Sequence, residues 1–298
     1  MIDLGRVGGA PISWGVCEVP GWGVMLPAER VLGEMRTLGI TATELGAPGF
    51  LPDTAEELVA VLAGHDMGFI GGFVPVVLHD RDARRATIAA ARETGALFAA
   101  AGGSMFVSAV VVDSAWSSRF VLAPQQWDHL VGMLGELDEV CDDHGLTHAL
   151  HPHVGTLVET YADVATVLDR SDVRWCLDTG HLLIGGYDPA QFVGDAGERV
   201  RHVHLKDVND EVADALGRGR RTLQQATGDG LFCPLGQGAA PISDTVQALE
   251  RLGYDGWYVL EQDADLGATA PREGRGPVED VQASVEYLGS ITTERPAG

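Results

Sequence analysis

Residues 173–189 read VRWCLDTGHLLIGGYDP. The stretch opens as a short strand, 173–178, that ends in Asp178-Thr-Gly-His181. Strand side chains alternate faces, so 174, 176 and 178 share one side and the last can point beyond the strand's C-terminal end. The same ending recurs along the chain. A strand at 147–151 (THALH) ends in His151-Pro-His153, one at 201–205 (RHVHL) runs into His202-Val-His204-Leu-Lys206-Asp207, and one at 256–261 (GWYVLE) closes on Glu261. Nearer the N-terminus, 40–45 (ITATEL) carries Glu44, and 68–74 (GFIGGFV) is followed by Leu78-His79-Asp80. With 9–14 (GAPISW) and 104–111 (SMFVSAVV), eight candidate strands are counted.

Between them lie helical patterns, for example 27–38, 54–65, 82–102, 125–144 and 277–289, with apolar residues at three- and four-residue spacing. Strands alternating with amphipathic helices make parallel βα units. Eight units in 298 residues, 45% of them apolar, predict one (β/α)8 TIM barrel over residues 1–290. The Thr54-Ala-Glu-Glu57 capping-box pattern marks where the second loop becomes a helix. Residues 207–238 differ from the rest. They hold no periodic strand, carry Arg218, Arg220 and Arg221, and include Gly228, Gly230, Gly236 and Gly238, which reads either as a lid closing over a site or as a solvated basic face. The tail 291–298 is expected to be disordered.

Lysine and arginine total 20 against 43 acidic residues, a net charge of −23 that repels nucleic acid and anionic membranes. Small polar molecules are the expected partners. No window approaches the roughly 18 uninterrupted apolar residues of a membrane span, and the N-terminus lacks signal-peptide character, so a cytoplasmic location is expected. Cys17, Cys141, Cys176 and Cys233 form no CxxC pair, which excludes a zinc ribbon or thioredoxin-type motif. No glycine-rich phosphate cradle sits at a strand-to-helix turn.

Barrel active sites are built at the C-terminal ends of the strands, where these acidic and histidine residues gather. A lone His or Asp there is more often a cap than a ligand, and His202, two residues deeper than His204, reads as a core or supporting histidine. Four strands offering such residues at equivalent depth are harder to produce by chance. Mixed imidazole and carboxylate donors suit one divalent Mn, Co, Zn or Fe ion better than calcium. For proton transfer the first candidate is His181, since imidazole titrates near neutrality. Glu44, His79 and Lys206 follow. Glu44 also reads as a hydrogen-bonding partner of substrate hydroxyls, and Lys206 as a local partner of Asp207. Trp14 and Trp22 offer apolar faces for a ring, or packing under the loops.

Segments 9–23 (GAPISWGVCEVPGWG), 43–52 (TELGAPGFLP), 71–80 (GGFVPVVLHD), 151–160 (HPHVGTLVET), 177–189 and 202–208 (HVHLKDV) resemble the xylose-isomerase-like barrels of the sugar phosphate isomerase/epimerase superfamily. Within it the greatest likeness is to the inosose dehydratases. The resemblance implies a metal, Mn or Co ahead of Zn or Fe, held by His151, Asp178, His204 and Glu261. His153, Glu44, Lys206 and Trp14 are the candidates for binding a polyhydroxylated carbonyl substrate, and the likeness implies association into homo-oligomers. Many members carry glutamate where His151 stands, as ligand and acid/base group. Two-carboxylate epimerisation therefore loses one participant here. Dehydration of 2-keto-myo-inositol, by removal of an α-proton with the metal stabilising the enolate, is the activity implied. Rival readings are a metal-dependent epimerase or inosose isomerase, a sugar-binding barrel without turnover, and, less well suited to so acidic a chain, an endonuclease.

Overall fold

A computed structural model describes residues 2–17, 19 and 21–291. Eight parallel strands close into a barrel. They are β1 (Val7–Gly9), β2 (Ala42–Glu44), β3 (Gly68–Val76), β4 (Met105–Val110), β5 (Thr147–Leu150), β6 (Trp175–Asp178), β7 (Val200–Leu205) and, eighth in the barrel, β10 (Tyr258–Leu260). The barrel shuts where β1 pairs with β10, Val7 beside Tyr258 and Gly9 beside Leu260.

The helices α1 (Ala28–Thr37), α2 (Ala55–Gly64), α3 (Arg84–Ala100), α4 (Pro124–Asp143), α5 (Tyr161–Arg170), α6 (Thr179–Ile184) and α7 (Pro189–Ala196) follow the first six strands. Thr54 caps α2 as its pattern predicts, accepting from the Glu57 N–H and donating to the Glu57 carboxylate at 2.7 Å. Alternation along the strands sorts two cores. Ala10, Ala42, Ile70, Met105, Val107, Ala149, Cys176 and Val259 fill the barrel interior. Phe106, Val110, Leu150, Trp175 and Leu177 pack outward against the helices. Gly71 lets β3 approach β4, because a Cβ there would lie 1.8 Å from the Met105 carbonyl oxygen.

Two expectations are corrected. The first strand lies at 7–9, sharing only Gly9 with GAPISW, because Pro11 has no N–H for a ladder and instead opens a 3-10 turn, Pro11–Trp14. The stretch 207–238 is largely structured. It holds a small antiparallel pair, β8 (Asp207–Val208) with β9 (Phe232–Cys233), and two helices, α8 (Asp210–Gly217) and α9 (Leu223–Gly228). Val208, Ala226, Leu231 and Phe232 form its own small core against Leu183 and Ile184 of α6. Its arginines are locally paired and exposed: Arg218 and Arg220 bind Asp214, and Arg221 binds Asp229. That settles the basic cluster as a solvated face. The root is pinned by Asp207, whose carboxylate accepts from the N–H groups of Gly236, Gly238 and Ala240 at 2.8, 3.0 and 2.9 Å. Gly236 and Gly238 therefore serve a close approach rather than a hinge.

The chain then continues through α10 (Ile242–Arg251), whose Ile242, Val246 and Leu249 face the barrel, to β10 and α11 (Pro277–Ser290). Ile291, assigned from sequence to a disordered tail, is buried; 292–298 lie outside the described residues. Among the described residues no helix is long and apolar enough to cross a membrane.

Candidate metal centre and active site

The ends of β5, β6 and β7 and the residue after β10 bring His151, Asp178, His204 and Glu261 together at the barrel mouth. Each of the first three is prepared by a bond on its far side. The Nδ1 of His151 lies 2.7 Å from the Pro152 carbonyl oxygen and donates to it, which leaves the Nε2 lone pair free, 3.5 Å from Asp178 Oδ2. Asp178 caps α6, its Oδ1 accepting from the His181 N–H at 2.7 Å, which leaves Oδ2. Glu44 Oε1 lies 3.0 Å from His204 Nε2 and 2.8 Å from His202 Nε2. A carboxylate that accepts Nε2–H from His204 turns Nδ1, as the lone-pair nitrogen, toward Glu261 Oε2 at 2.6 Å and Asp178 Oδ2 at 3.8 Å.

His151 Nε2, Asp178 Oδ2 and His204 Nδ1 are buried without hydrogen-bond partners; the short His204–Glu261 approach lacks hydrogen-bond alignment. Leaving a buried polar atom unpaired costs about 1–3 kcal/mol. Three such atoms facing one another suit a shared cation. Asp178, His204 and Glu261 offer ligand atoms within 4.8 Å of one another, as do His151, Asp178 and His181. The donor set therefore fits a divalent ion. Cys176, one inward position below Asp178, also lies near His151 and His204, but burial pushes its thiol up to about 11 and keeps it protonated.

Charge in the site is tightly coupled. Burial alone would raise Glu261 and Asp178. His204 and Lys206 outweigh it at Glu261, and Lys206 and His151 at Asp178, so both are held below the usual carboxylate range. Burial would lower His204, yet the carboxylates of Glu261 and Glu44 hold it well above its ordinary value. A bound cation would reverse that balance, because an imidazole ligand must be neutral.

Around the cluster the candidate residues separate. His181 and His153 line the mouth, their rings 3.8 Å apart. Burial, then neighbouring positive charge, brings His153 down to about 3 and His181 well below its ordinary value, so both are neutral near pH 7. His153 Nδ1 donates to the Val154 carbonyl at 2.8 Å, leaving Nε2 as an acceptor. His181 faces the Val154 N–H at Nδ1, 3.2 Å, and the Lys206 ammonium at Nε2, 3.1 Å. A neutral imidazole has one lone pair, so only one of these is a hydrogen bond at a time, and the tautomer follows Lys206.

Lys206 is fully buried inside the site, bonded to Glu261 Oε1 at 2.8 Å and Asp263 Oδ1 at 2.7 Å rather than to Asp207. Its stem passes over Gly180, where a Cβ would come within 2.8 Å of it. Phe232 of the insertion lies 4.7 Å above its ammonium.

Four candidates have other surroundings than the sequence suggests. Glu44 lies behind His204, within hydrogen-bond distance of it and of His202. His79 packs on Phe120, with His129 of α4, Asp80 and Asp113 as its titratable neighbours, and none of its contacts reaches the cluster. Trp14 is buried under α1, where its Nε1 donates to Glu34 at 2.8 Å; the 3-10 turn at Pro11 carries it outward. Trp22 packs against the loop after β10, donating to the Ala264 carbonyl.

The aromatic wall comes instead from Trp116, which stacks on Phe73 at 6.2 Å and 11° and leans over His153 at 5.8 Å. Trp116 has φ +55°, an uncommon conformation for a bulky residue. Asp113 holds that turn, accepting from the N–H groups of Ala115 and Ser117. An aromatic in a Ser/Asp-rich loop directly after a strand end was the available signal for Trp116, and a carboxylate two residues past Glu261 the signal for Asp263.

Fold and cluster together define the class: a (β/α)8 barrel with a candidate metal centre at the C-terminal mouth. Residues 32–290 match the family of xylose isomerase-like TIM barrels, and the chain belongs to it. It is similar to the inosose dehydratase of Geobacillus kaustophilus, 29% identical over 287 residues that cover 89% of this chain and 90% of that protein. Among solved structures it resembles D-allulose 3-epimerase from Methylomonas sp., with a TM-score of 0.70, 16% identity and coverage of 96% of this chain and 98% of that one. It also resembles the IolI protein crystallised with a zinc atom, with a TM-score of 0.69, 16% identity and coverage of 96% and 97%. Both structural likenesses concern the fold.

Proposed function

We propose that this chain is a hydro-lyase of inosose dehydratase type, converting 2-keto-myo-inositol to a trihydroxycyclohexane dione in inositol catabolism. One observation carries the reading: similarity to an inosose dehydratase over 89% of this chain and 90% of the relative. The site supports it. Two-carboxylate epimerisation wants a second acid/base carboxylate on the fifth strand, and there His151 presents an imidazole whose Nδ1 is already committed to a backbone carbonyl.

His151, Asp178, His204 and Glu261 would hold one divalent ion, Mn or Co ahead of Zn or Fe. Such an ion supplies Lewis acidity toward the ketone and a neighbouring hydroxyl oxygen of the substrate. The chain's own groups do the rest. Dehydration removes one C–H proton, breaks one C–O bond and returns a proton to the departing hydroxide, so no redox partner is needed. Lys206, its ammonium fixed between Glu261 and Asp263, donates to the oxygen on which negative charge develops. His181, within hydrogen-bond distance of Lys206, carries the transferred proton. His153 Nε2 accepts from a substrate hydroxyl. Trp116 and Phe73 flank the ring, and Phe232 covers Lys206 and excludes water.

The reading also takes the protein to be cytoplasmic and homo-oligomeric. Its test is incubation of the metal-loaded protein with 2-keto-myo-inositol. Stoichiometric dione is expected, and a pool of isomers without dione would overturn the dehydratase assignment in favour of isomerisation.

A further inference from the structure

Asp263 is 6% exposed and sits two residues beyond Glu261, yet it belongs to no cluster of metal-ligand atoms among the described residues. Among the described residues its hydrogen-bonded partner is the Lys206 ammonium, 2.7 Å from Oδ1. That ammonium also lies 2.8 Å from Glu261 Oε1 and 3.8 Å from Asp178 Oδ2, two oxygen-bearing groups of the metal cluster. It cannot retreat to water, because its stem lies against Gly180 and Phe232 closes over it. A fixed positive charge within 4 Å of two ligand carboxylates, in a site that excludes water, competes directly with a divalent cation.

Charge counting shows what Asp263 contributes. Asp178 and Glu261 neutralise one divalent ion, and Asp263 neutralises Lys206. Glu44, set behind His204, is met by two imidazole groups. Without Asp263 the lysine has only the metal's carboxylates to pair with. We infer that Asp263 is a positioning residue that shares the Lys206 ammonium with Glu261 and offsets its charge, so that the Lys206–Asp263 pair sets the metal affinity of the site. The inference rests on the metal centre proposed above.

The test is titration of chelator-stripped, full-length protein with Co²⁺ against a chromogenic chelator. His204→Ala serves as the control for the site itself. Asp263→Asn should bind Co²⁺ about tenfold or more weakly than wild type, the scale of loss seen when a group supporting the ligands is removed. Lys206→Met/Asp263→Asn, which removes the competing cation together with its partner, should bind about tenfold more tightly than wild type. Equal affinity of Asp263→Asn and wild type overturns the inference. So does a double variant that binds no tighter than wild type, and this arm decides the matter if the single variant does not fold. Failure of wild type to bind Co²⁺, or unchanged binding by His204→Ala, overturns the metal centre itself.

Discussion

Two groups of buried polar side chains occupy opposite faces of the barrel wall. Between β4, β5 and α4, on the outer face, Ser108 Oγ lies 2.7 Å from His148 Nε2, and His148 Nδ1 lies 2.7 Å from Asp138 Oδ1. Its order, Ser-His-Asp, is that of a nucleophilic triad, but both imidazole nitrogens are engaged and Ser108 and His148 have no exposure. At the inner mouth, the residues are equally buried, yet His151 Nε2, Asp178 Oδ2 and His204 Nδ1 have no partners. Residue identity does not separate the two groups; satisfaction does. A completed buried network ties a helix to a barrel, whereas convergent unpaired donors and acceptors keep a position open for a ligand.

The sharpest way to break this comparison is Glu261→Ala. Metal content should fall from about one ion per chain to near zero, and turnover of 2-keto-myo-inositol by about a thousandfold or more. Elemental analysis with product assay checks both, and unchanged metal content would place the ion elsewhere. Glu44→Gln tests whether that carboxylate acts through His204. Metal affinity measured by chelator competition should weaken by about 10–100-fold while the fold survives.

Ser108→Ala probes the outer network. It should cost about 1–3 kcal/mol in denaturant unfolding, because His148 loses a buried partner, with metal content and kcat unchanged. A loss of metal there would erase the distinction between the two faces. The smallest effect is expected at the wall of the mouth. Trp116→Ala should raise KM by about three- to tenfold, the scale of one aromatic contact, and leave kcat within about twofold. A kcat that falls as far as kcat/KM would instead place Trp116 in the transition state's own contacts.

Much of the site is legible in the sequence because strands have period two and end where the barrel opens. Asp178 and His204 lie at the C-terminal ends of strands whose inward faces alternation defines, and His151 and Glu261 each directly follow a strand in the same way. Glu44 was found by the same reasoning, but its role was not. Whether a carboxylate meets substrate or steadies a histidine depends on what lies across the barrel, and His202 and His204 are 158 and 160 residues away in the chain. Loops are less legible still. Trp14 and Trp116 both follow a barrel strand closely, and only the paths of the backbone, a proline-led 3-10 turn in one case and an Asp113-held turn in the other, send one under α1 and the other over His153.

By itself the sequence determined the eight βα units, the barrel, and the residues that its strands carry to the mouth, because hydrophobic periodicity and turn chemistry are local properties. Only the tertiary structure decided which of those side chains converge with unpaired atoms. It removed His79 and Trp14, turned Glu44 into a support for His204, and brought Asp263, Trp116 and Phe232 into the site. Those outcomes depend on distances between segments far apart in the chain, and such distances are fixed only when the barrel closes.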